Sequence, residues 1–460
     1  MGLGLNEGGA GTARFFLKQG ANVLVTDLKT KKELWPSIKK LLAFKKVCGK
    51  KCGLLKFALG RHRKKDFKSA DLIIQGPGVA NDSSYLAIAR QNRIPIDTDI
   101  GIFFENCPAP VIGITGSKGK STTAALIYNI LKQKFKDVIL AGNIGKSPLD
   151  YIGAIKPTTK VVLELSSWQL EGLAKHKKSP HIAVITNILK EHLNRYKSFR
   201  HYARTKSLIF KYQKKEDYLV ISRQAVRILQ ISAKNVKTNI RTYRERSGLI
   251  RISPDLDAAC VVSKICGVSE KLIKKAVLAF KGLPGRQEKI ARISGVSYYN
   301  DTTATMPDAA VLALNSIKPE RDGKIILIAG GTDKKLDFEE MAREIVKRVG
   351  VLILLPGDAT RKIKIEMRKI SNFQFPIFKQ ILNRKIQNFK HGIEISNFKT
   401  PSVFEVKSMR EAVTLSSFFA RTGDIVILSP GAASFGLFKN EFDRGEQFIE
   451  WVMKLRNINK

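Results

Sequence analysis

Short apolar runs rich in β-branched residues recur along this chain and set its rhythm. They are NVLVTD (22–27), DLIIQGPG (71–78), VIGITG (111–116), KVVLELSS (160–167), HIAVITN (181–187), KIILIAGG (324–331), VLILLPG (351–357) and DIVILSPG (424–431). Each closes on Gly, Asp, Asn or Ser, and helical segments separate them. Strands this uniformly apolar are covered on both faces. The pattern therefore predicts an α/β fold of parallel sheets with helices on either side. In such sheets ligands bind beyond the carboxyl ends of the strands, and that is where the polar residues of this chain gather.

Proline and glycine mark the boundaries. ENCPAP (105–110) precedes one strand set and KGLPGRQE (281–288) another, which predicts three domains at 1–106, 107–284 and 285–460. Residues 361–400 break the rhythm. They are rich in Lys, Ile, Asn and Phe, repeat ISNF at 370–373 and 395–398, and read as a surface insertion or extended loop without chemistry. GLGL (2–5) looks like the turn after a first strand, yet no apolar run precedes it. In a doubly wound sheet that strand is central, and its loss would leave ladder groups unpaired. Either the start is assigned too late, with the first strand encoded upstream, or the first domain is incomplete; the late start is the expectation.

Composition narrows the class. A chain of 460 residues fits about three domains. With 43% hydrophobic and 26% charged residues it can bury real cores. No apolar run reaches the ~18 residues of a membrane span, and the amino-terminal stretch lacks the pattern of a signal peptide. The five cysteines show no zinc spacing and read as reduced thiols of a cytoplasmic protein. Net charge is +41, from 81 Lys and Arg against 40 Asp and Glu. The lysines are dispersed and aromatic residues do not interleave with them. That predicts generic basicity with anionic substrates and no specific nucleic-acid partner.

The sharpest signal is ITGSKGKSTTAALI (114–127). It is not a strict G-x-x-x-x-G-K-[ST], because Ile114 stands at the first glycine position. The mechanics survive. Gly116 and Gly119 let the backbone approach phosphate, the following helix presents its positive end, and Lys120 reaches the outer phosphates. Gly116, Ser117, Lys118, Gly119, Lys120, Ser121 and Thr122 form the candidate cradle, with Ser121 or Thr122 placing a hydroxyl on Mg²⁺. Glu164, near the end of an apolar strand, needs a cation or a hydrogen-bonding partner if buried. His192 follows another strand end. Lys206, on an amphipathic helix, reads alone as a solvated lysine. NDTTAT (300–305), AGGTDKKLDF (329–338) and SPGAASFGLFKNEFDRGEQF (429–448) form a second face of strand-end turns. GLGLNEGGAG fails G-x-G-x-x-G at Glu7, which argues against NAD; with Asp27 and Lys29 it suits a nucleotide phosphate or ribose.

In their order, GITGSKGKSTT, AGNIGKSPL, LELSSWQLE, GLPGR, NDTTAT, GGTDKKLDF and SPGAASFGLFKNEFDRG resemble the Mur ligase family over essentially the whole chain. The later strings resemble the members that add D-glutamate to UDP-N-acetylmuramoyl-L-alanine. The resemblance implies a Rossmann-like amino-terminal domain for UDP, a P-loop ATPase-like central domain for ATP and two Mg²⁺ ions, and a Rossmann-like carboxyl-terminal domain for the incoming amino acid. It implies a monomer in the cytoplasm that works in peptidoglycan precursor synthesis. Lys120 then holds the transferring phosphate, Ser121 and Glu164 one Mg²⁺, and His192 the second. Lys206 matches a lysine that CO₂ converts to a carbamate ligand. Asn143, Ser166 and Gln169 match the muramoyl-alanine site, and Arg286 and Asp301 match ATP contacts. Thr305, Lys334 and Ser434 match the amino-acid pocket, closed by Phe442 or Phe438. Leu5, Asn6, Asp27, Lys29 and Gly78 fall where uracil and diphosphate sit. Asn194, Gly285 and Thr303 depart from residues common in the family. Two other readings stand beside this one: a different Mur or folylpolyglutamate-type amide ligase, and an inactive basic nucleotide-binding protein.

Overall fold

The computed structural model describes residues 1–5, 7–189, 195–232, 236–243, 254–320, 322–334, 336–371, 377–379, 401–434 and 436–458. They form two compact units, Met1–Phe280 and Lys281–Lys460.

The first unit opens with α1 (Glu7–Lys18), β1 (Val23–Asp27), α2 (Trp35–Cys48), β2 (Leu55–Leu59), β3 (Ile73–Ile74), α3 (Ser84–Gln91), β4 (Ile96–Asp97) and α4 (Asp99–Asn106). β1 pairs in parallel with β2, and β3 with β4. The first two residues lie between these ladders. Gly2 N donates to Thr26 O at 2.8 Å, Met1 N to Ile74 O at 3.0 Å, and Gly76 N to Met1 O at 2.9 Å. α2 turns Ile38 and Leu41 inward to join Leu3, Ala10, Ala13 and Val25 in a small core.

The same unit continues with β5 (Val111–Thr115), α5 (Lys120–Leu131), β6 (Val138–Gly142), β7 (Lys160–Glu164), α6 (Ser167–Lys175), β8 (Ile182–Ile185), α7 (Phe199–Ser207), β9 (Tyr218–Ser222), α8 (Arg223–Leu229), β10 (Asn239–Tyr243), α9 (Pro254–Ile265) and α10 (Glu270–Ala279). The six strands form one parallel sheet in the order β10-β9-β8-β5-β7-β6. The apolar runs of β5, β7, β8 and β9 are unbroken because both faces are buried there. Val111, Val161, Leu163 and Ala183 enter one core, while Ile112, Val162 and Val184 enter the other.

The second unit holds β11 (Glu288–Ile293), β12 (Val296–Asn300), α11 (Pro307–Ser316), β13 (Ile325–Gly330), α12 (Glu339–Arg348), β14 (Val349–Leu355), α13 (Asp358–Ser371), β15 (Ile377–Lys379), β16 (Ser402–Glu405), α14 (Met409–Phe419), β17 (Ile425–Leu428) and α15 (Glu441–Ile458). The strand order is β11-β12-β17-β13-β14-β16-β15.

Three expectations need correction. The sheet of the second unit is not wholly parallel, because β11 and β12 form an antiparallel hairpin. Its two loop residues, Ser294 and Gly295, have φ of 47° and 78°, which suits the tight reversal of twisted strands. Residues 361–371 are neither a surface insertion nor an extended loop: α13 runs through them and buries Ile363 and Met367 in the core, while 372–376 and 380–400 lie outside the described residues. Cys48 and Cys52 are not free thiols but a disulfide with Cα atoms 5.8 Å apart. α2 ends at Cys48, and Gly49, with φ of 60°, folds the chain back so that the two residues meet. Cys107, Cys260 and Cys266 are free. No helix among the described residues is long and apolar enough to cross a membrane.

Arg444, on α15, is completely buried. Its Nε donates to Thr302 Oγ1 at 3.1 Å, Nη2 to Thr302 O at 2.7 Å and Nη1 to Ala432 O at 3.1 Å. Burial pulls its guanidinium down to about 10, so it keeps its charge at neutral pH. The fork ties the turn after β12 to the turn after β17. Arg444→Met should destabilise the second unit by about 2–4 kcal/mol, since it leaves buried acceptors unpaired. Arg444→Lys should recover little of this, because an ammonium cannot span the three acceptors. Calorimetric unfolding checks both; a Lys variant as stable as the parent would refute the fork.

Candidate active site

β5 delivers Thr115 to the top of the central sheet, where the chain must turn sharply into α5. Gly116 has φ of 149° and Gly119 φ of 80°, and α5 starts at Lys120. A Cβ on Gly116 would collide with Thr186 Oγ1. The turn is strapped to the end of β8. Ser117 N donates to Asn187 O at 2.9 Å, Lys118 N to Asn187 Oδ1 at 2.8 Å, and Asn187 Nδ2 to Lys118 O at 3.1 Å. Leu189 N donates to Ser117 Oγ at 2.9 Å. Lys120 Nζ folds back to Gly116 O at 2.9 Å and Ser117 O at 2.7 Å. The positive end of α5 and this ammonium thus occupy one turn, which is the electrostatics of a phosphate site. Thr122 is half-buried in the first turn of the helix.

Glu164 ends β7 and stands in register with Ile114 of β5, next to the turn. It is 2% exposed. Its Oε1 accepts from Asn143 Nδ2 at 2.7 Å, while Oε2 is buried with no hydrogen-bond partner. A carboxylate oxygen left so is costly unless a cation balances it. Ser121 is buried in the first turn of α5. This donor set fits Mg²⁺. Lys206 belongs here too. Read alone as a solvated lysine, it is 2% exposed, and its Nζ donates to Thr115 Oγ1 at 3.2 Å and Gly116 O at 2.9 Å. α7 carries it beneath the turn with Tyr202 beside it, a placement no local pattern shows. His192 and Asn6 lie outside the described residues.

Ser166 and Gln169 form a capping box at the start of α6: Ser166 N donates to Gln169 Oε1 at 3.0 Å, and Gln169 N to Ser166 Oγ at 3.3 Å. Both Asp27 oxygens are engaged, one by Gly4 N at 3.0 Å and one by Lys29 N at 2.9 Å, so this carboxylate shapes the GLGL turn. Leu5, Lys29 and Gly78 are exposed. A cleft in the first unit is lined by Gln75, Gly76, Asp99, Trp168, Gln169 and Arg195. Asp99 is buried, and desolvation pushes its carboxyl up to about 6, with the Asp97 charge adding to the effect. Asn187, Gln75 and Asp99 escaped the sequence reading; their only signal is a polar residue at or just after a strand end.

In the second unit, three strand-end turns are laced together. Gly431 N donates to Ala304 O at 2.9 Å, Gly330 N to Pro430 O at 2.9 Å, and Thr332 N to Ala433 O at 2.9 Å. Asp301 is buried, accepting from Gln287 N at 3.1 Å and Ser429 Oγ at 2.7 Å. Half-buried Thr305, exposed Lys334 and buried Ser434 sit on these turns, while Arg286 is exposed on the preceding one. Of the two candidate rings, Phe442 is exposed and Phe438 is buried in the core.

Gly116→Ala should weaken ATP binding at least tenfold, by pushing the turn off Thr186. Adding Thr186→Ala should restore part of the loss. Titration calorimetry reads both, and unchanged ATP affinity in Gly116→Ala would refute the close approach. Asp99 adds a pH signature. Its folded value, about 6, lies above the ordinary 3.8, so the native state holds its proton more tightly than the unfolded chain does. Its contribution is present at low pH and is lost as pH rises from about 4 through about 6. Asp99→Asn should therefore gain about 2–3 kcal/mol relative to the parent at pH 7.5 against pH 4. Denaturant unfolding at the two pH values checks this, and an equal difference at both would refute it.

The chain matches three family descriptions in sequence: the Mur ligase MurD-like N-terminal domain over residues 1–98, the Mur ligase middle domain over 114–279, and the Mur ligase glutamate ligase domain over 285–431. It is 34% identical to the UDP-N-acetylmuramoylalanine--D-glutamate ligase of Roseiflexus sp. (strain RS-1), covering 97% of this chain and 96% of that protein. It is 35% identical to the protein of the same name from Borreliella burgdorferi (strain ZS7), covering 99% and 97%. Among solved structures, UDP-N-acetylmuramate-alanine ligase of Thermotoga maritima shares the fold with a TM-score of 0.60 at 15% identity, over 98% of both chains. The MurF ligase of the same organism, solved with ADP, gives 0.56 at 15% identity over 86% of this chain and 97% of that one. Sequence and fold agree over nearly the full length: this chain belongs to the Mur ligase family.

Proposed function

We propose that this protein joins D-glutamate to UDP-N-acetylmuramoyl-L-alanine with ATP, an amide-forming step in peptidoglycan precursor synthesis. The observation that carries the chemistry is the unpartnered Glu164 oxygen beside the phosphate turn. The choice of substrates is supported by the names of the full-length relatives. The domains are taken as 1–106 for UDP, 107–284 for ATP and 285–460 for the amino acid.

A free carboxylate is a poor acyl donor, because its leaving group would be oxide. Phosphorylation solves this. A carboxylate oxygen of the muramoyl-alanine attacks the γ-phosphorus of ATP, an O–P bond forms and ADP leaves. The amine of D-glutamate then attacks the acyl carbon. The tetrahedral intermediate collapses, the C–O bond to phosphate breaks, and the amine proton is lost. The first step brings two anions together, so preorganised positive charge is the main need. Lys120 Nζ, fixed over the turn by Gly116 O and Ser117 O, offsets charge at the transferring phosphoryl. Ser121 and Glu164 would hold one Mg²⁺, and His192 with a carbamate on Lys206 a second. These ions supply charge neutralisation between phosphate and carboxylate. The Lys206 ammonium would first lose a proton; the free amine then adds CO₂ and loses a second, so that a cation becomes an anionic carbamate suited to a metal ligand. Asn143, Ser166 and Gln169 line the muramoyl-alanine path, and Leu5, Asp27, Lys29 and Gly78 the uridine diphosphate end. Arg286 and Asp301 meet ATP, and Thr305, Lys334, Ser434 and Phe442 meet D-glutamate.

Phosphate release is the test. With ATP, Mg²⁺ and UDP-N-acetylmuramoyl-L-alanine it should require D-glutamate, and L-glutamate or L-lysine should not replace it. Release with another amino acid would overturn the pocket assignment, and no release at all would overturn the ligase reading. Lys206→Ala should lose at least a hundredfold in rate, and the parent should respond to bicarbonate. Full activity of Lys206→Ala would overturn the carbamate.

A further inference from the structure

Gln75 follows β3 and is 5% exposed, yet it faces the cleft lined by Gly76, Asp99, Trp168, Gln169 and Arg195. Its amide nitrogen is doubly engaged, donating to Val79 O at 2.9 Å and Asn81 Oδ1 at 2.9 Å. Its amide oxygen, Oε1, is buried without a hydrogen-bond partner. That costs free energy comparable to a lost hydrogen bond, and such groups call for an explanation.

The polarity of this amide is set twice, directly by Val79 O, which can only accept, and from a distance. Glu171, on α6, is a carboxylate and can only accept. Its Oε2 accepts from Asn81 Nδ2 at 2.9 Å and from Arg195 Nη2 at 3.3 Å, and its Oε1 from Tyr196 OH at 2.9 Å. Asn81 must therefore turn its NH₂ toward Glu171 and its oxygen toward Gln75. Gln75 must in turn point its NH₂ at Asn81 and its oxygen away. Three side chains thus share one orientation, and the end left over is a buried acceptor on a residue that lines the cleft.

An acceptor needs a donor. Gln75 lies three residues before Gly78, assigned above to the uridine diphosphate end, and shares the cleft with Gln169, assigned to muramoyl-alanine. Ionised diphosphate has only acceptors and cannot satisfy an amide oxygen. The sugar between these two ends carries N–H and O–H groups.

We propose that Gln75 is a specificity-determining residue for the sugar nucleotide, its amide oxygen accepting a hydrogen bond from an N–H or O–H of the sugar, with Glu171 fixing that polarity through Asn81 as a positioning residue. This rests on the substrate reading above.

The test is titration calorimetry of the parent, Gln75→Met and Glu171→Gln with UDP-N-acetylmuramoyl-L-alanine, UDP and ADP. Gln75→Met should bind the muramoyl nucleotide about tenfold more weakly, the size of one lost hydrogen bond at a buried site. UDP and ADP should stay within about twofold. Glu171→Gln should show the same ligand pattern at about threefold to tenfold, and adding Asn81→Ala to it should cost nothing further. Unchanged muramoyl-nucleotide affinity in a folded Gln75→Met would overturn the proposal, as would an equal loss for UDP. If melting shows that Gln75→Met does not fold, Glu171→Gln carries the test, because that residue lies at the cleft edge with its side chain 21% exposed. A parent that fails to bind the muramoyl nucleotide would refute the substrate reading itself. A parent that binds it, with variants unchanged, would refute the Gln75 proposal and leave the substrate reading standing.

Discussion

The strap between Asn187 and the candidate phosphate turn is the constraint on which the geometry of the central candidate site depends. A turn that cradles phosphate exposes its amides and leaves little of its own to hold it in place. Here the end of β8 supplies the missing support, through both the backbone and the side chain of Asn187. The support works only because the backbones lie close, and Gly116 is what allows it. β5, β7 and β8 are neighbours in one parallel sheet, so the turn, Glu164 and Asn187 arrive at the same edge. Lys206 adds the floor, reaching Thr115 and Gly116 from α7.

The second unit solves a similar problem differently. Its strand-end turns are held by backbone bonds to one another and by the buried fork of Arg444. A guanidinium is suited to that place. It offers several donors in a fixed plane, keeps its charge when buried, and meets carbonyl and hydroxyl acceptors that turns leave unpaired. Asp301 plays the complementary part, an acceptor joining the turn before β11 to the end of β17.

Several groups first read as ligand contacts turn out to have structural work of their own. Asp27 is engaged at both oxygens by backbone amides. Ser166 and Gln169 cap α6 for each other. A side chain can serve both ends, but its geometry is then set by the fold before any ligand arrives. Gln75 is the opposite case: its donors are consumed by the fold and its acceptor is left over.

The period of the apolar runs determined the α/β class and the parallel central sheet, and with it the strand ends at which the candidate residues lie. That follows because a strand buried on both faces must be apolar throughout, and this is visible residue by residue. The glycine–lysine turn was legible for the same reason: positive φ and phosphate charge demand particular residues at fixed spacing. The hairpin of β11 and β12 was missed, because two residues, Ser294 and Gly295, decide it. Helix α13 was missed because its burial depends on neighbours far along the chain. The burial of Lys206, the strap of Asn187, the fork of Arg444 and the relay from Glu171 to Gln75 were decided only by tertiary structure. Each joins residues distant in sequence, and their chemistry comes from which groups are left paired or unpaired once the chain has folded.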